Sequence, residues 1–318
     1  MPQFEFEKHV IEAEDGESVL SALLRAGHSV ENRCRAGACQ ACLLRSVGEA
    51  PAKAQTGIDE TLAEAGVFLS CQAKAEDVSI VERIGEGIIP TFSATLIDKK
   101  NLSNDVLLVR LKASGFSGRP GRFVQLKHQS GIVRPYSLAT PAWADPEVIE
   151  LHVRLIVGGQ MGGLLTSVEP GEAFEVVGPL GKCCYQGDPE GPLLLIGSGT
   201  GLAPLYGIVT DAIQKGHVGP IWLYHGAASN DGLYFEEELR EFAAKAENLT
   251  VVRCADIGAE GDVLEGSPLD AAVKDHKQMD GYRVYLCGHP GLVKAAQKKC
   301  FIWGASLKDI FADAFEAS

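Results

Sequence analysis

Four cysteines set the first chemical constraint on this sequence. Cys34, Cys39 and Cys42 fall within nine residues, and Cys71 follows in the run Phe68-Leu69-Ser70-Cys71-Gln72. The intervening residues number four, two and twenty-eight, the spacing at which four thiolates hold a [2Fe–2S] cluster, and the chemistry this implies is one-electron transfer. Three thiolates so close in sequence converge only if the backbone loops tightly around one point. Gly37, with Ala36, Ala38 and Ala41 beside it, removes side-chain bulk and leaves backbone N–H groups free to face the negative bridging sulfides. Arg33 and Arg35 add compensating charge. Structural zinc is the competing use of four cysteines, but zinc sites pair two short Cys-x-x-Cys knuckles and only Cys39 and Cys42 form one. Disulfides suit secreted chains, and the N-terminal residues PQFEFEKHV show no charged stretch leading into an apolar run, so a reducing, cytoplasmic setting is expected. The other five cysteines, including the adjacent Cys183 and Cys184, read as small buried apolar residues.

Two further stretches suit bound nucleotides. Arg134-Pro135-Tyr136-Ser137-Leu138-Ala139 offers a guanidinium fork that matches phosphate oxygens and a flat, polar-tipped ring. It resembles the Arg-x-Tyr-Ser flavin motif of the ferredoxin–NADP reductase superfamily, which makes Arg134, Tyr136, Ser137 and Leu138 candidates for FAD, with Arg134 at the diphosphate and Tyr136 and Ser137 at the isoalloxazine end. The same resemblance places the strand His152-Val153-Arg154 and the turn Gly158-Gly159-Gln160-Met161-Gly162-Gly163 beside the flavin diphosphate, with His152, Val153, Gly159, Met161 and Gly162 as contacts. Gly162 stands where the family often has Ser, which removes a hydroxyl but keeps the backbone donors of a helix start. Gly178-Pro179-Leu180-Gly181 is similar to the family's closing turn of the barrel.

Leu193 to Ile196 then runs into Gly197-Ser198-Gly199-Thr200-Gly201-Leu202-Ala203-Pro204, an apolar strand, a glycine-rich turn and a helix, the layout for a dinucleotide pyrophosphate. It resembles the superfamily's Gly-x-Gly-Thr-Gly-x-x-Pro, so Gly197, Gly199, Thr200, Gly201 and Pro204 are the candidate NAD contacts. A second strand, Ile221 to His225, ends in Gly226-Ala227-Ala228-Ser229-Asn230-Asp231-Gly232. An NADP enzyme would place a base there for the 2′-phosphate, and none is present, so NADH is expected unless a distant Lys or Arg folds back. Asp231 has two readings, accepting from the ribose hydroxyls or capping the helix that holds Glu236, Glu237 and Glu238, and the cap is favoured. Cys287-Gly288-His289-Pro290 resembles the family's Cys-Gly-x-Pro, which implies Cys287 beside the nicotinamide C4, Gly288 and Pro290 at the cofactor, and His289 in an exposed loop. The ending Ile310-Phe311-Ala312-Asp313-Ala314-Phe315 is similar to those of oxygenase reductases, where an aromatic shields the flavin; Phe315 or Phe311 would do so here, and core packing explains either as well.

The elements that must position these groups follow from the rest of the chain. At 318 residues it is long enough for two or three domains. The net charge of −13 excludes a nucleic-acid face, and no apolar run is long enough to span a membrane. Residues 1–88 carry eight Lys or Arg against fifteen Asp or Glu, an excess that would steer toward a basic partner or simply keep the surface soluble. Phe4, Phe6 and Val10 alternate with Glu5, Glu7 and Lys8 as one half-buried strand would. Asp15-Gly16 marks a turn, Ser18 can cap a helix through Val19, Leu20, Leu23 and Leu24 with Gly27 past its end, and Val78 and Ile80 close the unit as a strand. Gly85 to Pro90 reads as a linker. Beyond it, runs at Phe92 to Leu96, Val106 to Leu111, Phe123 to Leu126 and Ile149 to Ile156, separated by turn residues, predict a small all-β barrel.

The resemblance extends over nearly the whole chain, to NADH-dependent reductases serving bacterial aromatic-ring dioxygenases and methane or phenol monooxygenases. It implies a multidomain fold: a plant-type β-grasp ferredoxin (α+β) at 1–88, an antiparallel β-barrel flavin domain at 89–188 and a parallel-sheet α/β nucleotide domain at 189–318. The cofactors would be a [2Fe–2S] cluster on Cys34, Cys39, Cys42 and Cys71, FAD and NADH, and the partner an electron-accepting oxygenase component. Gln40 departs from the Gly common in related cluster loops. Because NADH gives up two electrons together and the cluster takes one, a flavin must stand between them. A stand-alone NADH oxidoreductase for a quinone or small molecule, a redox sensor, and a fold that has lost its flavin are the alternative functions.

Overall fold

In the computed structural model, which describes residues 1–32, 35–37, 40–85 and 88–315, the N-terminal alternation makes a hairpin rather than one strand. β1 (Gln3–Phe6) turns back into β2 (His9–Glu12) through Glu7 and Lys8, both at positive φ, 50° and 69°. Such turns normally carry Asn or Gly, which hides this one from a sequence reading and leaves Val10 67% exposed. α1 (Val19–Arg25) starts where expected, with the Ser18 hydroxyl accepting from the Ser21 N–H and Val19, Leu20, Ala22 and Leu23 buried. β3 (Leu43–Ser46), α2 (Glu60–Glu64), β4 (Val67–Leu69) and β5 (Ile80–Glu82) follow, in a sheet of order β2-β1-β5-β3-β4. Only the β1–β5 pairing among those with recorded register is parallel, at Glu5↔Ile80 and Phe6↔Val81. That register puts Val81 on the Phe6 side, so Val81 is buried and Ile80 faces out, the reverse of the inward Ile80 that alternation predicts.

The chain divides into two compact units, Met1–Thr91 with Leu180–Lys182, and Phe92–Pro179 with Cys183–Phe315. The predicted linker includes Glu86 and Gly87, which lie outside the described residues.

The second unit begins with an antiparallel barrel: β6 (Thr91–Asn101), β7 (Val106–Lys112), β8 (Phe123–Lys127), β9 (Val133–Ser137), β10 (Val148–Arg154), α3 (Gln160–Ser167) and β11 (Ala173–Leu180). Sheet order is β10-β7-β6-β11-β8-β9, and the Ala139 N–H donates to the Glu150 carbonyl at 2.9 Å, bringing the two ends together. Leu96, Val109, Leu111, Val124, Leu126, Ile149 and Leu151 fill the interior, each worth about 1.5–3 kcal/mol relative to exposure. Lys99 Nζ caps the far end of α3 by donating to the carbonyls of Leu165, Thr166 and Val168.

The remainder is a parallel sheet with helices on both faces: β12 (Leu193–Ser198), α4 (Leu202–Gln214), β13 (Ile221–Ser229), α5 (Glu236–Lys245), β14 (Leu249–Ile257), β15 (Leu264–Glu265), α6 (Pro268–Asp275), β16 (Arg283–Gly288), α7 (Pro290–Ile302) and β17 (Ile310–Ala314). The order is β15-β14-β13-β12-β16-β17. β12 sends Leu193 and Leu195 to one face and Leu194 and Ile196 to the other, the continuous apolar run that a strand covered on both faces requires. Arg119 pairs with Asp211 of α4 at 3.1 Å, and the Ala142 N–H donates to Thr210 Oγ1, so barrel and sheet pack as one body. No helix of the described residues is long and apolar enough to cross a membrane.

Candidate functional site

The β3–β4 pairing, Leu43↔Leu69, places Cys42 and Ser70 side by side just beyond the strands, and Ser70 Oγ donates to the Cys42 carbonyl at 2.7 Å. Cys71 follows directly. Its contact with Cys42, together with burial, pushes the Cys42 thiol well above its ordinary range, and Gln72 Nε2 donates to Cys71 Sγ at 3.3 Å. Two thiols pressed together in a mostly buried pocket, with an amide donor on one sulfur, suit thiolates neutralised by iron. Cys34, Cys39 and Arg33 lie outside the described residues. Gly37 takes φ +84° and Arg35 bonds Asn32. Gln40, at φ 51°, is 4% exposed and ties the loop to the Gly57 carbonyl through Nε2 at 2.8 Å.

On the barrel, Arg134 of β9 reaches toward the start of α3, with Nη2 3.5 Å from Gln160 Oε1. The N-cap of α3 is Gly159, which supplies no side-chain acceptor, so the first-turn N–H groups are left for an outside anion beside a guanidinium. That uncapped end and the Arg134 fork fit a diphosphate. Tyr136 is partly buried against the barrel core, and burial pushes its phenol up. Ser137 Oγ donates to Asp313 Oδ2 of β17 at 2.6 Å. Desolvation raises the Asp313 carboxyl to about 6, with the Ser137 hydroxyl pulling the other way. A carboxyl so placed can hold or release a proton near neutrality through the Ser137 hydroxyl.

At the carboxyl ends of the parallel strands, a Cβ on Gly201 would lie 2.4 Å from the Cys287 carbonyl oxygen, so only glycine lets the turn after β12 close onto β16. Gly288 takes φ +114° and its Cβ would meet the Ser198 carbonyl at 2.5 Å. Ser198 Oγ accepts from the His289 N–H at 3.2 Å, pinning the two turns together. His225 lies fully buried beneath, with Nε2 3.0 Å from the Gly199 carbonyl. Burial lowers it to about 4, so it is neutral and Nε2 carries the proton. Arg154, paired with Asp105 at 2.7 Å, lies over the same turn, with Nη1 3.1 Å from the position of a Gly199 Cβ.

Three family models cover most of the chain: a 2Fe-2S iron-sulfur cluster binding domain over residues 5–76, an oxidoreductase FAD-binding domain over 93–185 and an oxidoreductase NAD-binding domain over 195–298. The reductase component of the naphthalene 1,2-dioxygenase system of Pseudomonas putida, named a ferredoxin–NAD(P)+ reductase, is 31% identical over 94% of each chain. The chain belongs to this family of iron–sulfur flavoprotein reductases. The reductase subunit of an Amycolatopsis aromatic O-demethylase is 32% identical to the reductase over 91% of this chain and 90% of its own. The crystal structure of an Amycolatopsis cytochrome P450 reductase superposes with a TM-score of 0.70 at 29% identity, covering 99% of both chains.

The expected site residues differ in how far their side chains reach the surface. Leu138 and Val153 are fully buried and Met161 nearly so, all in the barrel core. The Leu138 N–H donates to the Arg122 carbonyl and its own carbonyl accepts from the Gly121 N–H. His152 turns away from the barrel, its Nδ1 3.1 Å from the Tyr234 hydroxyl and its ring against Phe235. Cys287 is wholly buried, level with Asp313 on the neighbouring strand and beside Cys183, and burial raises its thiol well above the ordinary range. Asp313, paired with Cys287 in the β16–β17 register and bonded to Ser137, is the polar group next to it. Gly197, Gly199, Thr200, Gly201 and Pro204 lie together where β12 becomes α4. Asp231 is exposed and does not cap α5, whose N-cap is Phe235 in a left-handed conformation. His289 is more than loop: its Nδ1 accepts from the Gly291 N–H and caps α7 ahead of Pro290. Phe311 stacks on Tyr285 at 5.2 Å, inside the sheet's packing, whereas Phe315, partly buried, donates its N–H to the Gly288 carbonyl at 2.8 Å.

Asp313 was invisible to motif reading. Its signal is a carboxylate in phase with Phe311 and Phe315 on a strand whose packed face those aromatics mark.

Proposed function

We propose that the protein takes electrons from NADH through FAD to the [2Fe–2S] cluster and on to an electron-accepting protein, an oxygenase component, in the cytoplasm. The observation that carries this reading is the Ser137–Asp313 bond at 2.6 Å, which brings the flavin-motif strand and the C-terminal strand of the nucleotide domain to one point. When bound, NADH supplies a hydride, FAD accepts the pair and releases electrons singly, and the cluster conducts one at a time.

The chain's own residues bind, orient and hold protons. The domains are taken as 1–88, 89–188 and 189–318. Cys34, Cys39, Cys42 and Cys71 ligate the cluster. Arg134 and the first turn of α3, from Gly159 to Gly162, hold the flavin diphosphate, while Tyr136 and Ser137 flank the ring. The turn from Gly197 to Gly201, with Gly288 and Pro290, holds the NAD pyrophosphate, and Phe315 covers the flavin face until the nicotinamide enters. Level with the buried Cys287, Asp313 accepts from Ser137 Oγ and can take up a proton near pH 6 beside the ring that Ser137 would flank. Asp231 lies at the ribose end, in a turn over residues 226–232 that carries no Lys or Arg for a 2′-phosphate.

Anaerobic titration with NADH, following flavin and cluster absorbance and the paramagnetic signal of the reduced cluster, tests the sequence of carriers. Bleaching of both chromophores supports it, and a flavin that reduces while the cluster stays oxidised overturns it. The second reading, a stand-alone NADH oxidoreductase, predicts fast turnover with small acceptors and none with any oxygenase component.

A further inference from the structure

The coenzyme site contains an arginine that the end of β13 does not. Arg253 on β14 is opposite His225 in the parallel register, so both side chains emerge on the same face of the sheet. Asn230–Gly232, the turn that ends β13, packs on this strand. In an open parallel sheet the adenosine ribose lies outside the carboxyl end of the second strand, and a base there accepts the 2′-phosphate of NADP. Arg253 stands on the strand next to that end, and its side chain is only 10% exposed.

Two carboxylates hold it. Arg253 Nη1 is 2.7 Å from Glu236 Oε2, on the first residue of α5, and Nη2 is 2.5 Å from Asp262 Oδ1, in the loop beyond β14. The other oxygen of Glu236 accepts from Arg240. The guanidinium is thus held by two carboxylates, and the surround of Glu236, Asp262 and the exposed Asp231 repels a dianionic phosphate. Beneath it His225 is neutral, burial having lowered it to about 4, and adds no positive charge. In the same turn, Asn230 Oδ1 is buried without a hydrogen-bond partner among the described residues. A lone acceptor suits a ribose hydroxyl, which donates, and opposes a phosphate, which only accepts.

We infer that Glu236 and Asp262 clamp Arg253 away from the nucleotide 2′ position, and that this clamp sets the selectivity of the reductase for NADH over NADPH. The inference rests on the NADH reading above.

The test is the holoenzyme variant Glu236→Gln/Asp262→Asn, with anaerobic flavin reduction by each coenzyme and inhibition of the NADH reaction by 2′,5′-ADP against ADP. Freeing the guanidinium for one charge-assisted phosphate contact raises the NADPH to NADH ratio of kcat/KM by about ten-fold and strengthens 2′,5′-ADP over ADP by a similar factor, with NADH turnover kept. Adding Arg253→Leu removes the gain. Should the double variant fold poorly, Asp262→Asn alone keeps the Glu236 pair, because Asp262 is 78% exposed, and still gives roughly a three-fold rise. An unchanged ratio in a variant that NADH reduces, or a gain that survives Arg253→Leu, overturns the clamp. A wild-type flavin that NADH does not reduce overturns the parent reading instead.

Discussion

Replacing Asp313 with Asn should make the protein more stable while impairing its chemistry, and the effect should depend on pH in one direction. Burial raises the folded-state carboxyl from 3.8 to about 6. The folded protein therefore keeps a proton that the unfolded chain has already lost, so stability falls as pH rises from about 4 to 6 and stays lowered above that window. The gap corresponds to about 3 kcal/mol at neutral pH. Asn carries no charge to desolvate and can still accept from Ser137 Oγ, so Asp313→Asn removes this penalty. The gain should be near zero at pH 4 and approach its full size above pH 7. For a unit of this size about 2–4 °C follows each kcal/mol, giving an upper bound of roughly 10 °C in apparent Tm at pH 7.5.

The assay is paired thermal unfolding of wild type and variant between pH 5 and 8 at one scan rate, read by circular dichroism and by flavin release, since a multidomain flavoprotein need not unfold in one step. In parallel, flavin reduction by NADH in the variant should be slower and should lose any inflection near pH 6, the pattern of a group kept at a stability cost for its function. A variant less stable than wild type at pH 8, or a Tm difference constant from pH 5 to 8, would refute the assignment of a partly buried Asp313 with a raised carboxyl.

Three other substitutions probe the remaining parts. Gly201→Ala puts a Cβ 2.4 Å from the Cys287 carbonyl oxygen; overpacking of backbone costs about 1–3 kcal/mol, so KM for NADH should rise about ten-fold in stopped-flow reduction, with flavin and cluster absorbance retained. Arg134→Gln removes a charged phosphate donor worth about 1.5–3 kcal/mol, and gel filtration should show FAD lost while the cluster chromophore stays. Gly162→Ser has room, since its Cβ would sit 3.4 Å from Leu155 Cδ2. It gains about 0.5 kcal/mol of helix propensity and a hydroxyl in the first turn of α3, so FAD should dissociate more slowly on dilution.

What could be read from the sequence was what is local. The cysteine spacing, the apolar β12 and the glycine turn after it, and the capped α1 all depend on residues a few positions apart, and each names its element. What escaped depends on long-range register or on residues doing an unusual job. Ser137 and Asp313 are 176 positions apart, and no spacing rule joins them. Glu7 and Lys8 adopt a turn that favours other residues, which concealed the first hairpin. Asp231 is a good capping residue, yet α5 begins five residues later behind Phe235, whose left-handed backbone no propensity scale would choose. His152 fits the strand pattern of β10, but only the packing of Tyr234 and Phe235 across from it shows that its ring is committed elsewhere.

Strand order explains why these distant groups meet. β12 has β13 on one side and β16 on the other, so the chain winds outward in both directions from it and its carboxyl end opens a crevice, the place where open parallel sheets bind ligands. Several contacts that shape the glycine turn after β12 cross that crevice. Gly201 closes on the Cys287 carbonyl of β16, the Gly199 carbonyl is held by His225 of β13, and β17 extends the β16 side to bring Asp313 level with Cys287. The glycines of the motif therefore supply only clearance and backbone N–H groups. The side chains assigned to proton handling and coenzyme choice stand one strand beyond the neighbours of β12, Asp313 on β17 and Arg253 on β14. Within this architecture, proton handling and coenzyme choice can change separately, because their side chains stand on opposite sides of β12 and share no hydrogen bond among the described residues.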